Sequence, residues 1–233
     1  MNYNLSDFIH VEYNTLSEEF CNGVIGKFET DSRKRQGRLG SGKNSVVNVD
    51  IKDSVDLMIS GLDDWKEEDE VLFNSVNKCS QKYRNKNLLE DIKIPILLDT
   101  MSDTGYQIQK TSPNSGYSWH DDFDPSYDYT SNAGVRVLSF IWYLNDVSEG
   151  GYTEFVHKKY KPAAGYGLIF PSNWSFPHSG TEVISGKKRV AVTWYYVDDQ
   201  RCIGDNIIEP YVIQNEKQAE ELALLRSHQQ INK

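Results

Sequence analysis

The stretch "GYSWHDDFDP", residues 116–125, places His120 two residues before Asp122, with Asp121 between them. In an extended chain, residues two apart project to the same face. His120 and Asp122 would then point together and Asp121 would point away. An imidazole and a carboxylate on one face can give two ligands to one metal ion. A second imidazole would complete a two-histidine, one-carboxylate set that leaves positions open on ferrous iron. Three histidines follow as candidates: His157 in "FVHKKY", His178 in "NWSFPHSG" and His228 near the C-terminus. His228 falls in a predicted tail helix, and His157 follows a strand in basic surroundings. His178 stands at the entrance to a strand, and Lys188 comes ten residues later at the start of "KRVAVTWYYV"; the residue ten past His157 is Gly167. A cation at that place has a use where a dicarboxylate co-substrate chelates the metal through its other end. Taken alone, His120 reads equally as a polar surface residue.

The elements that must hold these residues are short. From about Gly105 the runs "YQIQK", "VRVLSFIWYL", "YTEFV", "GYGLIFP", "TEVIS" and "KRVAVTWYYV" are β-branched or aromatic and are separated by Gly, Pro, Asn, Asp and Ser. With no helical pattern between them, they predict an antiparallel sandwich or barrel. Upstream, Thr15 and Glu18 form a capping-box pattern ahead of Leu16, Phe20, Val24, Ile25 and Phe28 at helical spacing. A second helical region is expected from Ser54 to Tyr83, interrupted near Gly61 to Asp64, and "IKIPILLD" reads as a short strand. Residues 215–229 return to helix. The expected fold is α+β with a mainly β core: a double-stranded β-helix (jelly-roll, cupin-like) buttressed by N-terminal helices, with a C-terminal helix added. One domain spans 1–233, with a helical support region at 1–104, the catalytic core at 105–200 and a helical extension at 201–233.

Bulk properties narrow the function. A formal charge of -9 argues against a nucleic-acid partner, which would call for a basic face; the cluster Arg33-Lys34-Arg35 reads as a solvated loop. Cys21, Cys79 and Cys202 are odd in number and widely spaced, which suggests neither a zinc site nor a disulfide framework. No apolar stretch is long enough to span a membrane, and the N-terminus lacks a signal-peptide pattern, so the expected location is cytoplasmic. "GRLGSGKN", residues 37–44, nearly matches a phosphate-binding loop. Its preceding "TDSRKRQ" cannot form the buried strand that motif needs, and Asn44 holds the hydroxyl position.

Taken together, these motifs make the chain resemble the iron(II)- and 2-oxoglutarate-dependent dioxygenases, particularly their prolyl 4-hydroxylase-like branch. The family's HxD…H…(K/R) signature reads here as His120, Asp122, His178 and Lys188. "SGYSWHDD" is similar to the strand entering the metal site, "IWYLND" and "EGGYTEF" to the Y-L-N and G-G-x-T-x-F segments, and "KPAAGYGLIFP" to the P-x-x-G-x-x-x-x-F-P strand. The resemblance implies that His120, Asp122 and His178 hold Fe(II). It implies that Lys188 pairs with the distal carboxylate of 2-oxoglutarate, that Tyr143 donates a hydrogen bond to the same group, and that Thr153 and Tyr117 line the pocket. Lys187 and Arg189 flank Lys188 as alternatives, and the tyrosine that many relatives carry near Lys110 or Thr111 is absent. The implied reaction converts 2-oxoglutarate and O2 to succinate and CO2 while a prolyl or other residue of a peptide is hydroxylated, with ascorbate as an accessory reductant. With Asp122 present, hydroxylation is favoured over halogenation. The alternatives are the same chemistry on a free amino acid or small metabolite, and a catalytically silent ligand-binding barrel. "DFDPSYDYTSNAG", residues 122–134, is expected to act as a lid over either substrate.

Overall fold

The computed structural model describes residues 4–40, 45–84, 101–123 and 136–197. The strand expected in "IKIPILLD", most of the lid-like segment, Cys202, His228 and the C-terminal helix lie outside the described residues. In chain order the strands are β1 (His10–Glu12), β2 (Arg35–Gln36), β3 (Val55–Met58), β4 (Met101–Asp103), β5 (Gln107–Thr111), β6 (Tyr117–His120), β7 (Arg136–Tyr143), β8 (Glu149–Gly150), β9 (Thr153–Phe155), β10 (Lys158–Tyr160), β11 (Gly167–Pro171), β12 (His178–Gly180), β13 (Val183–Ser185) and β14 (Lys188–Val197). The helices are α1 (Glu18–Thr30) and α2 (Lys66–Arg84).

Two sheets carry the site. The larger has the order β1-β11-β7-β14-β5-β3-β2, with β4 also pairing β14; the smaller has the order β10-β9-β12-β6. Every pair in both sheets is antiparallel. The alternation of side chains along each strand sorts the larger sheet into two faces. Leu138, Phe140 and Trp142 of β7 join Ala191 and Tyr195 of β14 in one buried core with Val24 and Phe28 of α1 and Leu72 and Val76 of α2. The intervening Tyr143, Val190 and Val192 belong to a second core, shared with Phe155 and Tyr160 of the smaller sheet. One sheet therefore separates a helix-packed layer from the space between the sheets, which is the double-stranded β-helix arrangement.

The N-terminal region departs from its reading in three ways. Residues 55–58 form β3, not helix, paired to β5 from Val55↔Lys110 to Met58↔Gln107. Val55, Leu57 and Ile59 alternate, and all three pack on the helix-side core; a period of two won over helix propensity. Gly61, at φ +84°, stands at the turn that follows. β1 and β2 were not anticipated, because strands of three and two residues are too short to show a period. The α1 cap is Ser17, whose Oγ accepts from the Phe20 N–H at 3.1 Å, and not Thr15. Thr15 Oγ1 instead donates to the Gly165 carbonyl at 2.9 Å, so tertiary contact overrode the capping box. Gly165 itself has φ +76°, and a Cβ there would lie 2.5 Å from the Leu16 carbonyl oxygen.

Candidate metal centre

β6 and β12 are adjacent antiparallel strands of the smaller sheet, and their register sets His120 directly opposite His178. The two rings lie 4.3 Å apart, centroid to centroid. Asp122, just past the end of β6, turns back between them: its carboxylate oxygens are 3.8 Å from His120 Nε2 and 3.6 Å from His178 Nε2. One ligand atom from each of the three residues falls within 4.8 Å of the others. Asp121 is exposed and its Oδ1 accepts from the Phe123 N–H at 3.0 Å, so it turns away from the cluster. His157 is exposed in the turn after β9.

The proton positions follow from the neighbours. His120 Nδ1 is 2.8 Å from the Ser118 carbonyl and His178 Nδ1 is 3.1 Å from the Phe176 carbonyl. A carbonyl only accepts, so both Nδ1 atoms donate and both Nε2 atoms turn a lone pair toward Asp122. Burial, reinforced by the neighbouring His178, pushes His120 down to about 4, which keeps its ring neutral near pH 7. For Asp122, burial alone would raise the carboxyl. The two histidines and hydrogen bonds from Ser139 and Trp194 outweigh it and hold Asp122 below its ordinary value. Two lone pairs and a carboxylate thus converge at a partly buried point of the cavity wall. That arrangement is electrostatically costly unless a cation sits among them. The donor set fits a divalent metal, and imidazole–carboxylate ligation suits Fe(II).

A second polar group lies beside this cluster. Lys188, Thr153 and Tyr143 are all buried. Tyr143 OH donates to Thr153 Oγ1 at 2.8 Å, and Lys188 Nζ donates to the same oxygen at 3.5 Å. Among the described residues the partners of the Lys188 ammonium are therefore neutral: this hydroxyl and the face of the Tyr143 ring, 5.8 Å away. Burial pushes the Lys188 amine down to about 8. Arg189, next in sequence, points to the opposite face and pairs with Glu29 of α1 at 2.6 Å; Lys187 is exposed. Tyr117 stacks on the His120 ring at 3.5 Å, and the same cavity reaches Tyr117, Thr153, Lys188 and all three clustered residues.

Other supports were not anticipated. Ser139 Oγ donates to Asp122 at 2.7 Å and meets Ser172 Oγ at 2.8 Å. Its signal was a lone hydroxyl inside "VLSFIWY", at an inward-facing position of an apolar strand. Lys52 and Asp56 form a buried ion pair at 2.8 Å, and Ser54 donates to the same carboxylate. Lys52 Nζ lies 5.5 Å over the Tyr117 ring, which places this pair behind the residue that backs His120.

Sheet order and the opposed histidines together define a double-stranded β-helix with a candidate metal site between its sheets. A sequence model described as the 2OG-Fe(II) oxygenase superfamily matches residues 106–196, the stretch that carries His120, Asp122, His178 and Lys188. The family uses Fe(II), 2-oxoglutarate and O2. A protein of Acanthamoeba polyphaga mimivirus, named as a candidate prolyl 4-hydroxylase, is 29% identical over 153 residues, covering 59% of this chain and 62% of the relative. The chain therefore spans less than two thirds of that relative. A Trichoplax adhaerens prolyl hydroxylase in complex with a hypoxia inducible factor oxygen degradation domain peptide fragment superposes with a TM-score of 0.64 at 17% identity, covering 86% of this chain and 88% of the other. A Pseudomonas putida prolyl-4-hydroxylase gives 0.59 at 13% identity, covering 81% and 92%. At such identities the two structures establish the fold.

Proposed function

We propose that the chain is an Fe(II)- and 2-oxoglutarate-dependent dioxygenase that hydroxylates a prolyl or other residue of a peptide. The observation that carries this reading is the convergence of His120, Asp122 and His178 beside the buried Lys188 ammonium, within one cavity. A metal site alone would need no such cation. A buried ammonium with hydroxyl partners is suited to the far carboxylate of a keto diacid.

In this reading, each group has a task. His120, Asp122 and His178 hold the metal from one side, and the carbonyls of Ser118 and Phe176 fix the tautomers that let them do so. Ser139 and Trp194 keep the Asp122 carboxylate ionised and turned toward the histidines. Lys188 and Tyr143 bind the distal carboxylate of 2-oxoglutarate, with Thr153 orienting both. When bound, iron and 2-oxoglutarate supply an oxidative decarboxylation coupled to hydroxylation of a substrate C–H bond. The walls of the cavity orient the substrate and exclude bystanders. A peptide substrate draws support from the prolyl-hydroxylase names of the relatives and from the peptide bound to the Trichoplax neighbour. A reduced, cytoplasmic setting draws support from Cys21 and Cys79, which are buried free thiols; burial, the main cause, pushes Cys79 up to about 11.

The test is succinate formation from 2-oxoglutarate with ferrous iron, with and without O2, followed by a mass-spectrometric screen for oxygen incorporation in peptides and in free amino acids. Oxygen- and iron-dependent succinate, lost in His120→Ala, is the expected result. No turnover, together with no iron-dependent binding of 2-oxoglutarate, would contradict the enzyme reading.

A further inference from the structure

The cavity beside the metal centre has a volume of about 900 Å³, and it extends well past the clustered ligands. Its floor is the inner face of the larger sheet, and the register gives that floor a direction. One row of opposed residues runs Tyr143–Val190–Gln109–Asp56–Arg35, from β7 to the outermost described strand β2. The neighbouring row runs Ile141–Val192–Gln107–Met58. Along both, the floor changes from apolar to amide, and the first row ends in charge. At about 4.8 Å per strand, Arg35 lies roughly 19 Å from Tyr143, which about six extended residues would span.

The charges on this wall are unequal. Arg33 is paired to Asp31 and Asp64, and Lys52 to Asp56. Lys188 and Asp122 belong to the site already described. Among the described lining residues this leaves Arg35, Arg38 and Arg136 against the single carboxylate of Asp121. Arg35 is exposed and carries no side-chain hydrogen bond or ion pair to a described residue. Arg38 is held by Ser45, whose Oγ accepts from its Nε at 2.8 Å, and it pairs with no carboxylate among the described residues. The Arg136 guanidinium lies 4.1 Å over the Trp194 ring, nearer the metal ligands. In a chain whose formal charge is -9, the cavity locally reverses the sign of the molecule and would draw in negative ligands.

We propose that this wall selects acidic peptides: substrate segments whose reacting residue sits at the metal centre and whose Asp or Glu side chains, up to about six residues away, meet Arg35 and Arg38. The proposal rests on the oxygenase reading for the identity of the reacting end. A metabolite small enough to react at the metal would not reach Arg35, which favours a chain. The overall negative charge disfavours a nucleic acid, whose affinity grows with each phosphate neutralised.

The test is direct binding. Dye-labelled, proline-containing peptides identical except for Glu, Gln or Lys in the flanking positions are titrated with the full chain, loaded with Mn(II) and 2-oxoglutarate, and followed by anisotropy. The Glu peptide is expected to bind at least about tenfold more tightly than the Lys peptide at low salt, with the gap closing as salt is raised. Arg35→Glu/Arg38→Glu is expected to reverse the order and Arg35→Gln/Arg38→Gln to level it; both arginines are exposed, and thermal melting checks the fold. Equal binding of the three peptides, a Glu preference that survives the double Glu variant, or a single-stranded oligonucleotide that binds more tightly than the Glu peptide would each overturn the proposal. Failure is separable from failure of the oxygenase reading. Succinate formation without charge preference would remove only the acidic substrate, and charge preference without succinate would remove only the oxygenase.

Discussion

Lys188 and Arg189 are neighbours in the chain, and the sheet sends them to opposite sides. On the outer side, Arg189 meets Glu29, which also pairs with Lys110 at 2.8 Å, so α1 is tied to β14 and β5 through one carboxylate. On the inner side, Lys188 is buried with only hydroxyl and ring partners among the described residues. The outer cation is satisfied within the fold, whereas the inner one, in the proposed reading, is held ready for an anion. Charge by itself therefore says little; the partner decides between a structural and a binding role.

The comparison can be broken at several points. The largest effect is expected at the proposed metal ligands. Asp122→Ala should lower Fe(II) or Mn(II) affinity by more than about 100-fold, beyond the range typical of residues that only support a ligand. Asp121→Ala, whose carboxylate faces the Phe123 N–H, should leave metal affinity within about twofold by the same reasoning. Equal losses in calorimetric titration would contradict the facing of the two carboxylates.

Ser139→Ala should weaken metal binding by about tenfold, because it removes the hydroxyl that holds Asp122. An unchanged affinity would mean that Trp194 alone positions the carboxylate.

The inner cation also predicts a pH dependence. Burial lowers Lys188 to about 8, so the ammonium proposed to bind 2-oxoglutarate is present below that value and lost above it. Co-substrate affinity should be flat below about pH 8 and weaken as pH rises through it, and Lys188→Arg should remove that dependence. Linkage gives the opposite sign for stability. Between about 8 and the ordinary lysine value the unfolded chain binds the proton that the folded chain has released, so folding stability rises with pH across that window.

The smallest effect is expected on the outer side. Glu29 is held down at about 2: burial acts to raise it, and hydrogen bonds from Lys110 and Arg189 outweigh that. Its contribution is present above the ordinary glutamate value and fades as pH falls toward about 2. Because the carboxylate is partly exposed, Glu29→Gln should cost no more than about 1 kcal/mol near neutral pH in urea unfolding.

How much of this was legible in the sequence differs by element. The long strands β7 and β14 announced themselves because β-branched and aromatic runs of eight to ten residues, bounded by turn residues, carry no helical pattern. His120, Asp122, His178 and Lys188 could be singled out because their spacing carries meaning along short strands. β3 was misread because four residues next to a long helix do not outvote the helical period, and only pairing with β5 reveals them. β1 and β2 were invisible for a related reason: short edge segments owe their structure to a neighbour. Ser139, the Lys52–Asp56 pair and the Arg35–Arg38 wall depend on contacts between distant parts of the chain, which local pattern cannot supply. Arg35 in particular read as part of a solvated loop, whereas it pairs with β3 and borders the cavity.

The central claim is that the inner face of β14 binds the co-substrate and the outer face does not. It is tested most directly by calorimetric titration of 2-oxoglutarate into the metal-loaded chain, with wild type compared against Lys188→Met and Arg189→Met. The account predicts saturable binding for wild type and Arg189→Met, and loss of binding for Lys188→Met in a protein that still folds and still takes up metal. Binding that survives Lys188→Met, or that disappears in a folded Arg189→Met, would contradict it.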